Sequence, residues 1–251
     1  MVSIRPTHLL HLAWYAEPGQ YWTAPENYRH VAASLDLFEA FAAAGGRRLV
    51  VAGTGAEYDW RYGYCVEDLT PLAPTSAYAA SKHALHIMAT TLARDACLSL
   101  AWGRVFWLYG PHEHPSRLVA SVVRALLGDG EARVSEGEQR RPFLHVADVA
   151  DALVALLQSN IEGAVNIASS QPTRVRDVVE TIGRQLSASD RLRIGALPGA
   201  VDEPPLVLAD TRRLHREVGW SPEYDLEGGI ADTIAWWRSR GLAKSGSIVD
   251  T

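Results

Sequence analysis

The sequence predicts an α/β fold: a parallel sheet joined by helical crossovers, followed by a smaller C-terminal lobe. Three observations predict it. Short apolar runs and longer amphipathic stretches alternate as strand, helix, strand, helix, strand up to Pro111. Beyond Pro111 the pattern loosens into a series of amphipathic helices. Apolar residues form 47% and charged residues 21% of 251 residues, which suits a globular chain able to bury a large core in one domain or two lobes.

Each element has its own signal. HLLHLAW (His8 to Trp14) is a short apolar run and reads as a buried strand. PENYRHVAASLDLFEAFAAAGG opens on Pro25 and Glu26 and stops on Gly45 and Gly46, the punctuation of a helix. RRLVVAGT (Arg47 to Thr54) is a second buried strand. PTSAYAASKHALHIMATTLARDA is a long helix with Thr75 or Ser76 as its N-cap. LSLAWGRVFWLYGP is a third strand ending at Gly110 and Pro111. SRLVASVVRALLGDG is an amphipathic helix with a glycine stop, and VADVADALVALLQS is another with Asp148 placed as N-cap. RVRDVVETIGRQL and LEGGIADTIAWWRSR are two more, and 241–251 reads as a frayed tail.

The composition excludes several functions. A net charge of −5 leaves no basic excess for nucleic acid. Cys65 and Cys97 form no metal-type spacing, so no metal site is expected, and a chain of this size needs no disulfide framework. A reducing, cytoplasmic setting follows as the expectation. No apolar run approaches the roughly 18 residues of a membrane span, and MVSIRPTHLLHLAW is too short and interrupted for a signal peptide.

The chemistry centres on AYAASKHAL. Of 24 basic residues only Lys82 and Lys244 are lysine, yet a lysine stands four residues after Tyr78. On a helix this spacing puts phenol and ammonium on one face. A free tyrosine titrates near pH 10, and a nearby cation would lower that value and fit Tyr78 for proton exchange with a hydroxyl or ketone. A solvated face, with the tyrosine packed on the lysine stem, gives the same spacing.

Neighbouring segments resemble the extended short-chain dehydrogenase/reductases, the NAD-dependent epimerase/dehydratase family that modifies nucleotide sugars. HLLHLAW is similar to that family's fourth strand with its His-x-Ala signature, here His11 to Ala13. VVAGTGAEYDW resembles the fifth, whose terminal hydroxyl residue is here Thr54. YAASK carries the catalytic pair, and GRVFWLYGP the sixth strand with its Tyr-Gly-Pro exit. EGEQRRPFLHVADVADAL resembles the segment whose arginine, here Arg141, contacts nucleotide phosphates. GAVNIASSQPTRVRDVV and REVGWSPEYDLEGGIADTIAWWR resemble its closing elements.

The resemblance implies a partial Rossmann-type sheet, strands four to six and onward, within 1–111. It implies a mainly substrate-binding lobe at 112–240 with elements returning to the sheet. It implies catalysis by Thr54, Tyr78 and Lys82, cofactor contacts from Ala13, Tyr78 and Lys82, and substrate contacts from Thr54 and Arg141. NAD or NADP would be the cofactor, a nucleoside-diphosphate sugar the substrate, and a homodimer would form through helices 26–44 and 78–95. His11 reads as a core histidine and Asp148 as a helix cap.

Departures refine the expectation. Gly55 and Ala56 stand where dehydrating members carry an acidic pair, which argues for a reductase or epimerase rather than a 4,6-dehydratase. Trp107 replaces an asparagine that touches substrate, and His30 to Ser34 replace the usual start of the fourth helix. No Gly-rich dinucleotide turn occurs in the sequence, and seven residues before the first strand cannot hold strand–helix–strand units of roughly 30 residues each. The first three strands are therefore expected to be missing, through a misplaced start or a truncation. Weak dinucleotide binding and self-association through an apolar edge at His8 to Trp14, relieved by Leu10→Lys, are expected to follow. The alternative is a truncated, non-catalytic protein that binds a sugar nucleotide or a partner subunit.

Overall fold

The computed structural model describes residues 4–241, so Lys244 and nearly all of the expected tail lie outside the described residues. The strands are β1 (His8–His11), β2 (Arg48–Thr54), β3 (Tyr64–Cys65), β4 (Ser99–Val105), β5 (Leu108–Tyr109), β6 (Ala132–Val134), β7 (Arg140–Arg141), β8 (Leu144–His145), β9 (Gly163–Ile167), β10 (Thr173–Arg174), β11 (Leu192–Ile194) and β12 (Leu208–Ala209). The α-helices are α1 (Glu26–Ala43), α2 (Ala77–Asp95), α3 (Leu118–Leu127), α4 (Val146–Gln158), α5 (Val175–Gln185) and α6 (Leu226–Ser239).

Four strands form one parallel sheet in the order β1-β2-β4-β9, and the other eight join in pairs. The strand period of two sorts the sheet's side chains onto two faces. Leu49, Val51, Leu100 and Trp102 pack with Phe38 and Phe41 of α1 and Leu85 of α2. Val50, Ala101 and Val165 pack with Val149, Leu153 and Leu156 of α4. Both faces are covered, which is why β2 and β4 read as continuous apolar runs. A separate core joins Val122 and Val123 of α3, Val179 and Ile182 of α5, and Ile230 and Ile234 of α6.

The helix ends follow their signals. Ser76 caps α2, its hydroxyl accepting from the Ala79 N–H at 3.1 Å, an interaction typically worth about 1 kcal/mol. Gly45, at φ +85°, closes α1 in the left-handed region that glycine adopts without strain.

Four expectations need correction. β1 spans only His8–His11; Leu12 is 55% exposed, and Trp14 lies in the following loop with its indole N–H on Asn27 Oδ1 at 2.8 Å. Among the described residues β1 pairs with β2 alone, so it is an edge strand. Leu10 is half-buried against the α4 side of the sheet, not along the free edge, so Leu10→Lys would disturb packing rather than block pairing. The third strand is broken: β4 stops at Val105, Phe106 donates to Ile167 O at 3.1 Å, and the chain re-forms as β5 beside β8. His145, not Asp148, is the N-cap of α4. Asp148 is buried in the first turn, where its carboxylate accepts from the Glu223 and Tyr224 N–H groups at 2.8 and 3.2 Å. It fastens a distant loop to α4 instead of capping it.

Candidate active site

Thr54 ends β2, and the chain then turns through Gly55–Glu57 toward the start of α2. The C-terminal ends of parallel strands are where open α/β sheets bind ligands. The Thr54 hydroxyl accepts from the Ala56 N–H at 3.2 Å. It also lies close enough to the Tyr78 phenol to draw that group's pKa down. Burial acts more strongly in the other direction and holds Tyr78 up at about 12, so the phenol keeps its proton at neutral pH.

Lys82 departs from the expected electrostatics. The side chain is fully enclosed. Its Nζ donates to Ala52 O at 2.7 Å and lies 4.0 Å from the centre of the Trp14 ring. Burial lowers its pKa to about 7, against the pull of Glu57. Glu57 pushes the Tyr78 pKa up as burial does, and Arg117 draws it down. The spacing puts both residues on one helix face, and a backbone carbonyl and an indole hold the ammonium there.

An aromatic wall encloses Tyr78. The rings of Tyr21, Trp22 and Trp14 meet it edge-on at 4.9, 5.6 and 6.5 Å, and the Tyr78 N–H donates to Trp22 O at 3.1 Å. The Arg117 guanidinium lies 5.6 Å over Tyr21. Ala13 is exposed just beyond β1. His11 is buried, with Nε2 3.2 Å from the Ser34 hydroxyl, and burial lowers its pKa to about 4, as suits a core histidine.

Arg141 is buried in β7. It donates to Glu203 Oε1 at 2.7 Å and to Pro204 O at 2.8 Å, stacks 5.0 Å over Trp107, and leaves its Nε without a partner. Trp107 in turn lies 5.3 Å from Trp60, whose indole donates to Gly55 O at 2.8 Å. This chain of aromatics links Arg141 to the turn that follows Thr54.

Sequence reasoning missed Glu57, the fully buried carboxylate behind the site. Its Oε1 accepts from the Thr54 N–H and from Trp102 Nε1, both at 2.9 Å, and its Oε2 accepts from Arg104 Nε at 3.1 Å. Two of its partners come from β4, far along the chain, but the Thr54-x-x-Glu57 spacing is that of a capping box, a local signal that could have found it. Trp14, Tyr21 and Trp22 were also missed, although an aromatic-rich stretch between a strand and a helix is a visible signal.

Helices on both faces of a parallel sheet, with a threonine, a tyrosine and a lysine converging at the strand ends, define a Rossmann-type protein of the short-chain dehydrogenase/reductase kind. The profile of the NAD dependent epimerase/dehydratase family matches residues 1–168, and the chain belongs to that family. UDP-glucuronic acid decarboxylase 1 of Xenopus tropicalis is 27% identical over 249 residues, 94% of this chain and 58% of that protein. UDP-glucose 4-epimerase of Streptomyces lividans is 28% identical over 250 residues, 92% of this chain and 75% of that one. Among solved structures, MoeE5 in complex with UDP-glucose and NAD matches with a TM-score of 0.81 at 30% identity, covering 93% of this chain and 80% of that chain. The chain therefore spans little more than half of the decarboxylase's length. Among the described residues no helix is long and apolar enough to cross a membrane.

Proposed function

We propose that this chain carries the reacting centre of an NAD(P)-dependent epimerase or reductase acting on a nucleoside-diphosphate sugar. The observation that carries the reading is the Tyr78 phenol set near Thr54 at the end of β2 and inside a wall of aromatic rings, with Lys82 one turn further along α2. Thr54 orients the reacting carbonyl or carbinol, and Tyr78 exchanges its proton. A phenol held near pH 12 is ready to donate; to accept, it needs added positive charge, which Arg117 supplies in part and Lys82 supplies once it leaves Ala52 O.

Ala13, Tyr78 and Lys82 would hold the nicotinamide end of the dinucleotide, which when bound exchanges hydride with the sugar. The donors fit this end, since the ammonium is buried at the strand ends and needs only Trp14 to swing aside. The sequence offers no Gly-rich cradle for the pyrophosphate. Arg141 would meet substrate phosphates through its unpartnered Nε, in the lobe of residues 112–240. The nearest carboxylate after Thr54 is Glu57, and Arg104, Trp102 and the Thr54 N–H occupy it. It is not free as an elimination acid, which favours epimerisation or reduction over 4,6-dehydration. A homodimer would pair the exposed groove of α1 and α2, where Ile87 is 56% and Met88 48% exposed beside Leu35 and Leu92.

Turnover of UDP-glucose and UDP-glucuronic acid with NAD or NADPH, followed by NMR, tests the reading. Tyr78→Phe is expected to lose about 10²- to 10⁴-fold; full activity in that variant refutes the assigned role. The shielded Lys82 favours one second reading, a non-catalytic binder of nucleotide sugars. Binding by calorimetry without turnover would establish it.

A further inference from the structure

We propose that Glu57, His83 and His86 form a binding site for a divalent transition-metal ion, zinc above all. Each offers one ligand atom, and the three atoms lie within 4.8 Å of one another. His83, next to Lys82, and His86 stand three residues apart on α2, and Glu57 rises from the turn after β2. Glu57 Oε2 is 3.9 Å from His86 Nδ1.

Three further observations point to a ligand. The Nδ1 of His83 is buried without a hydrogen-bond partner, and buried polar atoms are rarely left so. The His86 ring stacks on Trp102 at 4.6 Å and 12°, which fixes its plane. Glu57 is oriented by the Thr54 N–H, Trp102 Nε1 and Arg104 Nε, the kind of outer support that positions metal-binding carboxylates.

Two imidazoles and one carboxylate suit zinc and exclude magnesium and calcium, which prefer all-oxygen shells. Zinc ligand atoms lie about 2.0–2.2 Å from the ion, so the three atoms must draw in by about an ångström. The two rings are only half-buried and can turn to do so. Water would complete the tetrahedron. Arg104 competes for Glu57 and opposes a second cation, so affinity should be micromolar rather than nanomolar. The proposal does not depend on the enzymatic reading.

The untagged full chain, stripped with EDTA, would be titrated with zinc by calorimetry and with cobalt by visible absorption. Expected are one micromolar zinc site and a tetrahedral cobalt band. His83→Gln and His86→Gln should each weaken binding by at least about tenfold, and the double variant should abolish it, with circular dichroism unchanged. No zinc binding or no tetrahedral band in the wild type, or undiminished binding in the double variant, overturns the proposal. The wild-type cobalt spectrum tests it even if a variant fails to fold.

Discussion

Replacing Glu57 by glutamine tests how the sheet and the site depend on each other. The carboxylate is fully buried, and Arg104 beside it is 1% exposed. The charge that neutralises Arg104 within the core is therefore Glu57, at 3.1 Å, with the Tyr58 hydroxyl at 2.8 Å as a neutral partner. Removing one member of such a pair leaves the other charge uncompensated and typically costs 3–5 kcal/mol. Glutamine keeps one carbonyl oxygen for the Thr54 N–H or Trp102 Nε1, so the loss should fall near the lower end, about 3 kcal/mol. For a chain of this size 1 kcal/mol shifts Tm by about 2–4 °C, which gives a fall of roughly 6–12 °C. Urea unfolding of the metal-free protein, followed by tryptophan fluorescence, measures it. Adding Arg104→Met removes the stranded charge and should recover much of the loss, because buried pairs exchange for apolar groups at little cost. A Glu57→Gln protein within about 1 kcal/mol of wild type, or a double variant worse than the sum of its parts, would refute the argument.

The buried ammonium gives a pH prediction. Folding lowers the Lys82 pKa from 10.5 to about 7, so between those values the unfolded chain binds the extra proton and wild-type stability rises with pH. Lys82→Met should therefore be the more stable protein below pH 7 and lose that advantage as pH climbs toward 10.5; a pH-independent difference in chemical denaturation would refute the shift. At the α1–α2 groove, Ile87→Asp with Met88→Glu should convert a dimer to a monomer in size-exclusion chromatography with light scattering, and an unchanged mass would remove this face as the interface.

Much of the fold was legible because its signals are local. Ser76 and Gly45 mark helix ends through bonds and backbone angles set within a few residues, and the apolar runs of β2 and β4 announce burial on both faces. The errors fall where the deciding partner is distant. Leu12 and Trp14 continue an apolar run, yet Trp14 is apolar to cover Lys82 and stack on His30 at 5.2 Å, not to extend a strand. Asp148 has the residue type of a cap, but its partners are the 223 and 224 amides. Tyr78 and Lys82 were legible as neighbours. The direction of the ammonium was not, because Ala52 O and the Trp14 ring set it, and neither is visible in a five-residue motif.

The structure also explains why position 82 is a lysine in a chain that otherwise prefers arginine. Arginine appears where a carboxylate matches its fork: Arg61 on Asp59, Arg174 on Asp177 and Arg212 on Asp210. At position 82 the pocket offers one backbone carbonyl and one indole face. A compact ammonium is satisfied there, whereas a planar guanidinium with five donors would leave several buried and unpaired. The choice of lysine thus follows from the shape of the pocket as well as from any proton chemistry. Rarity of lysine alone does not argue for catalysis; the weight rests on the Tyr78 phenol standing near Thr54 at the end of β2, a placement that the packing of Lys82 does not require.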